Sequence, residues 1–108
     1  MSDHHLGQVV VRPWGQYQVI GQGFGFYSAS SHMYKIKTIT IEPGKSISLQ
    51  YHLHRKEIWT VLHGAGKAKI GGEKKIILEG DTVTVPVGVV HKLSNPGKTK
   101  LIILESQM

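Results

Sequence analysis

Apolar and polar residues alternate through much of this chain. The segments "YKIKTITI" (34–41), "IWTVLHG" (58–64), "GKAKIGG" (66–72), "KKIILEG" (74–80), "DTVTVP" (81–86), "HKLSN" (91–95) and "KLIILES" (100–106) are short, β-branched and bounded by Gly, Pro, Asn or Asp. A period of two sends successive side chains to opposite faces of an extended strand. Helix signals are nearly absent. Short strands at this spacing predict an all-β fold, a sandwich or barrel of antiparallel strands. "GG" at 71–72 predicts a hairpin. "EPGK" at 42–45 and "NPGK" at 95–98 predict turns. The Gly- and Ser-rich segment 21–32 reads as a loop. Nothing resembles a linker or a repeat, so residues 1–108 are read as one domain. About the first ten residues, His4 and His5 among them, are expected to be mobile or to exchange as an N-terminal strand.

Composition narrows the chemistry. Hydrophobic residues make up 40%, enough for a modest core. There is no cysteine, which excludes disulfides, zinc–thiolate sites and a thiol nucleophile. The N-terminus has no basic and apolar leader, and the apolar runs are too short to span a bilayer. The expectation is a cytoplasmic protein with no membrane partner. The net charge is +6 and the pI about 9.7. The lysines fall singly or in pairs, with no basic run or helix. They read as solvated strand faces, with no nucleic-acid partner expected. A few of them are left to attract a small acidic ligand.

Two stretches carry chemistry. In "PGKSISLQYHLHRKEIWTVLHG" (43–64), Gln50 and His52 share a strand face, and Glu57 can rejoin that face after a turn. In "GDTVTVPVGVVHKLSN" (80–95), Pro86 and Gly88 break a strand and present His91 at the start of the next. Fifteen residues separate Gly64 from Gly80, room for one hairpin.

These spacings resemble the two cupin motifs. The second stretch matches G-x5-P-x-G-x2-H-x3-N at every specified position. The first matches G-x5-H-x-H-x4-E-x6-G with Gln50 at the first histidine. With "RPWG" at 12–15 followed by Tyr17, and with "SLQYHLHRKEIW", "VPVGVVHKLSNPG" and "LESQ", the chain is similar to the cupin domain of type II mannose-6-phosphate isomerases. In many bacteria that domain follows a mannose-1-phosphate guanylyltransferase. The similarity runs from about residue 11 to the end. It departs at Leu53, at Ile58 and at "EGDT" (79–82), which are polar or histidine positions in the family.

The resemblance implies a small jelly-roll-type antiparallel β-barrel holding one divalent metal per chain. Its ligands would be Gln50, His52, Glu57 and His91. A set of nitrogen and oxygen donors suits Zn²⁺ first, and Mn²⁺, Fe²⁺, Ni²⁺ or Co²⁺ as alternatives. The implied reaction interconverts mannose 6-phosphate and fructose 6-phosphate. It needs a base for the proton α to the carbonyl, an electrophile for the enediolate and a cationic phosphate anchor. Candidates for the base are His54, Glu105 and Lys37. Arg12 and Arg55 are the expected phosphate anchors, with Lys37 a third, because guanidinium groups bind phosphate bidentately. Trp14 and Trp59 read as packing. His54 is a spare ligand, an acid–base group or a solvated residue beyond the bend. A homodimer is expected, since open strand edges invite pairing. The rival readings are another metal-dependent cupin enzyme, such as a dioxygenase or an isomerase of a different sugar, and a non-catalytic sugar- or metabolite-binding module.

Overall fold

The computed structural model describes residues 6–27, 30–49 and 55–108. Ten strands and no helix occupy these residues: β1 (Val9–Arg12), β2 (Gly15–Tyr27), β3 (Ser30–Ile41), β4 (Ser46–Leu49), β5 (Glu57–His63), β6 (Gly66–Ile70), β7 (Glu73–Ile77), β8 (Thr82–Val85), β9 (His91–Ser94) and β10 (Leu101–Gln107). No helix among the described residues is long and apolar enough to cross a membrane.

Every strand pairing is antiparallel. A six-stranded sheet runs β1-β2-β3-β10-β5-β8, and a four-stranded sheet runs β4-β9-β6-β7. Neighbours in the sheets are often distant in sequence, as a jelly roll requires. The inward residues of both sheets form one core: Ile39, Ile41, Trp59, Val61, Leu101 and Ile103 from the larger sheet, and Ile47, Ala68, Ile77 and Leu93 from the smaller. Trp14 and Tyr17 pack against its edge.

All seven alternating segments are strands, and the all-β barrel reading holds. The 71–72 hairpin joins β6 to β7, which pair from Gly66↔Ile77 to Ile70↔Glu73. The 42–45 turn closes with Lys45 N donating to Glu42 O at 3.1 Å. At 95–98 the bend is held differently. The Asn95 side chain accepts from Gly97 N at 3.0 Å and donates to the carbonyls of Ile41 and Thr99, each at 2.8 Å. Asn95 thus stitches the end of β9 to the end of β3 and to Thr99, in the segment leading into β10.

The expected loop at 21–32 is instead mostly strand, with β2 running to Tyr27 and β3 starting at Ser30. Backbone pairing supplies the hydrogen bonds that side chains do not specify. Gly23 also packs closely: a Cβ there would lie 2.8 Å from the Tyr34 hydroxyl oxygen, so a side chain at 23 would require that ring to shift. At the other terminus, β1 lies along β2 of the same chain, and Gly7 N donates to Val19 O at 2.6 Å. His4 and His5 lie outside the described residues.

Candidate functional site

The register of the large sheet builds the site. Directly paired residues share a face, so Val19, Lys37, Glu105, Trp59 and Val83 form one inward row across five strands. Gln22, Lys35, Gln107, Glu57 and Val85 form the next. Within these rows Glu57, Glu105 and Gln107 are buried although polar, and Trp59 is wholly enclosed. Burying such groups is costly unless they are paired. They are paired with one another. Trp59 Nε1 donates to Glu105 Oε2 at 3.1 Å, and Gln107 Nε2 donates to Glu105 Oε1. Arg55 Nη2 lies 3.6 Å from Glu57 Oε2.

From the facing sheet comes His91, the first residue of β9 and also buried. The turn before it needs Gly88, which takes φ 78°, a conformation that side chains disfavour. His91 Nδ1 lies 3.0 Å from the Val89 carbonyl oxygen. A carbonyl only accepts, so Nδ1 carries the proton and Nε2 is turned to the site. There Nε2 stands 3.9 Å from Glu57 Oε1, and the imidazole meets the Trp59 ring edge-on with centroids 5.5 Å apart. Leu49, the last residue of β4, is paired with His91. β4 thus ends beside His91, and the described chain resumes at Arg55, next to Glu57. Gln50, His52 and His54 lie outside the described residues.

Electrostatics single out Glu105. Its carboxyl is pushed up from 4.5 to about 7, first by burial and then by the charge and hydrogen bond of Glu57. Gln107 and Lys37 oppose that rise only partly. The Lys37 ammonium is held below its ordinary value, mainly by burial, with Glu105 resisting and Lys35 and Arg55 reinforcing. Lys37 Nζ sits 4.7 Å from the centre of the Tyr17 ring.

Of the residues singled out in the sequence, the fold gathers Glu57, His91, Glu105, Lys37 and Arg55 at one end of the barrel. Arg12 is not among them. It is exposed on edge strand β1, in the row of Gly15, Ile41 and Leu101. That row lies six residues along β10 from Gln107, roughly 20 Å at strand rise. Its guanidinium lies 5.7 Å from the Tyr17 ring, the same ring Lys37 touches. Three site residues escaped sequence reasoning. Gln107 and Trp59 hold Glu105, and Tyr17 braces the cations. The two-residue spacing of Gln107 from Glu105 on one strand is the signal that could have found it.

The residues present fit a divalent ion in part. Glu57 and His91 aim an oxygen and an imidazole nitrogen at the same small interior region. No group of three His, Asp or Glu side chains able to hold a metal occurs among the described residues.

The sequence model for "Mannose-6-phosphate isomerase C-terminal" matches residues 1–108. A mannose-1-phosphate guanylyltransferase of Salmonella typhimurium is 39% identical over 103 residues, covering 95% of this chain and 20% of that protein. One from Salmonella montevideo is 43% identical over the same shares. This chain thus spans about a fifth of the length of these relatives. Among solved structures, a putative sugar phosphate isomerase from Acidithiobacillus ferrooxidans superposes with a TM-score of 0.64 at 32% identity, covering 68% of this chain and 49% of that one. KdgF from Halomonas reaches 0.75 at 18% identity, covering 91% and 82%, and supports the fold alone.

Proposed function

The chain belongs to the mannose-6-phosphate isomerase C-terminal family, a cupin domain of sugar-phosphate enzymes, and we propose that it interconverts mannose 6-phosphate and fructose 6-phosphate with a divalent metal bound. The observation that carries this reading is the buried pair of Glu57 and His91, opposed across the barrel beside a carboxyl poised near neutrality. Gln50 and His52 complete the ligand set in this reading, with Zn²⁺ the first expectation and Mn²⁺, Fe²⁺, Ni²⁺ or Co²⁺ the alternatives. A bound ion supplies Lewis-acid polarisation of the sugar's adjacent oxygens.

The chain's own residues do the rest. Glu105 handles the proton: a group near 7 both takes and returns one at neutral pH. Trp59 and Gln107 fix its oxygens, so the proton is exchanged at a defined place. Lys37 and Arg55 line the same end as cations and hold the phosphorylated sugar. Arg12 belongs to a more distant shell, reaching the site wall through Tyr17 and Lys37.

The test is a coupled assay for fructose 6-phosphate formed from mannose 6-phosphate. Metal-stripped protein is reloaded separately with each of the five ions. Turnover that requires metal and disappears in His91→Ala is expected. No turnover with any ion, in protein that still binds metal, would leave the cupin site standing and sink the isomerase.

A further inference from the structure

The end of the barrel remote from Glu57 carries a cavity of its own, with a volume of about 400 Å³. Clefts that take small ligands span about 300–1,000 Å³. Val11, Gln16, Thr40 and Ile102 line it, and they are directly paired across β1, β2, β3 and β10. Their row has the parity opposite to Ile39, Ile41, Leu101 and Ile103, so it lies on the outer face of the six-stranded sheet. The "RPWG" segment adds Arg12, Pro13 and Gly15, and Glu42 and Lys100, flanking β3 and β10, complete the lining. A Cβ at Gly15 would collide with the Thr40 carbonyl oxygen, so no side chain intrudes there.

The charges at this cavity are unbalanced. Two cations, Arg12 and Lys100, accompany one carboxylate, Glu42. Lys100 Nζ lies 4.0 Å from Glu42 Oε2, and both side chains are exposed, so the pair is weak and readily opened. Arg12 is ion-paired with no carboxylate among the described residues. Its Nη1 donates to the Val11 carbonyl oxygen at 3.4 Å, and its guanidinium lies 5.7 Å from the centre of the Tyr17 ring. These contacts restrict where the fork points and leave most of its donors for a ligand. The net charge of +6 draws anions toward the chain as a whole.

The rest of the lining is divided. Gln16 and Thr40 offer an amide and a hydroxyl, and Glu42 accepts from hydroxyl groups. Val11, Pro13 and Ile102 offer aliphatic surface. A nucleobase finds no aromatic ring among these lining residues on which to stack. We infer that this cavity is a second ligand site, separate from the buried Glu57–His91–Glu105 cluster, and that it takes a sugar carrying one anionic group. The anion lies against Arg12 and Lys100, the hydroxyls against Gln16, Thr40 and Glu42, and the C–H face of the sugar against the aliphatic wall. A phosphate ester and a sugar carboxylate share this chemistry.

The site does not rest on the isomerase reading and is tested by binding alone. The intact chain, labelled for nuclear magnetic resonance, is titrated separately with glucose 1-phosphate, glucuronate, inorganic phosphate and methyl glucoside. The backbone amides of Gly15, Gln16, Thr40 and Lys100 should shift along one saturating curve with glucose 1-phosphate or glucuronate. Whichever binds tighter identifies the anionic group. Inorganic phosphate and methyl glucoside, each lacking half of the contacts, should bind about ten-fold more weakly or worse. Arg12→Gln should weaken the anionic sugar by about ten-fold, and Lys100→Gln should weaken it by less. Both positions are exposed, and unchanged core resonances would show that the variants fold. The Trp59 indole resonance reports on the buried cluster. An anionic sugar that moves that indole and leaves the four amides still overturns the inference. So does an affinity that Arg12→Gln does not change, or inorganic phosphate binding as tightly as the sugars.

Discussion

The two ends of strand β10 are buried alike and built from opposite materials. Leu101 and Ile103 are fully enclosed, and Glu105 and Gln107 are 3% and 5% exposed. The same switch occurs on β3, from Ile41 and Ile39 to Lys37 and Lys35, and on β5, from Val61 to Glu57. Antiparallel register aligns these switches, so one end of the barrel is hydrocarbon and the other a hydrogen-bonded polar cluster. The apolar end repays the chain entropy of folding. The polar end contributes little net stability, since desolvating its charges offsets what they gain from each other. The barrel thus separates holding the fold together from housing the candidate site, within single strands.

The largest expected effect probes that separation directly. Ile103→Ala removes buried hydrocarbon from the centre of β10 and should cost about 2–5 kcal/mol. For a domain of this size each kcal/mol lowers the melting temperature by roughly 4–8 °C. Metal affinity measured at low temperature should stay within a few-fold of the parent, because the neighbouring Glu105 and Gln107 face the other end. A large loss of metal binding with little change in melting would mean the two ends are not separable.

A second experiment sharpens the comparison through pH. The Glu105 carboxyl is pushed up from 4.5 to about 7 in the fold. Between those values the folded metal-free chain holds a proton that the unfolded chain has released. The stability this contributes is fully present below about 4.5 and is lost as pH rises to about 7, after which the curve is flat. Glu105→Gln keeps the shape and carries no titrating proton. Urea unfolding of metal-free protein from pH 4.5 to 7.5 should show a declining slope in the parent that is shallower in the variant. Equal slopes would show that Glu105 is not the titrating group.

How much of this was legible in the sequence depends on what each feature rests on. The central strands announced themselves because alternation is a local property of side chains. The outer strands β1 and the far half of β2 did not, since Gly21, Gly23 and Gly25 leave no pattern where pairing is carried by backbone. Glu57, His91 and Glu105 were found by spacing and by position in an apolar strand. Gln107, Trp59 and Tyr17 were not, because their roles depend on which strand lies beside which. Arg12 was placed with the phosphate anchors by residue type alone. Register sets it roughly 20 Å along the sheet from the Glu57 row.

Register also changes the reading of the lysines, and here the smallest effect is expected. In sequence they are scattered. In the four-stranded sheet Lys92, Lys69 and Lys74 are directly paired across β9, β6 and β7, all exposed on the solvent face. No carboxylate is ion-paired with them among the described residues. Like charges directly opposite one another destabilise a sheet, by about 0.2–1 kcal/mol per pair. Lys69→Gln relieves both contacts at once and should stabilise the chain by up to about 1 kcal/mol in dilute buffer. In about 1 M salt, where the screening length falls to about 3 Å, the gain should largely vanish. A gain that persists at high salt would point to side-chain packing instead. The contrast with Lys37 is then one of solvent. The same ammonium group repels its neighbours weakly on the outer face, and inside the barrel its pKa is held below the ordinary value, mainly by burial.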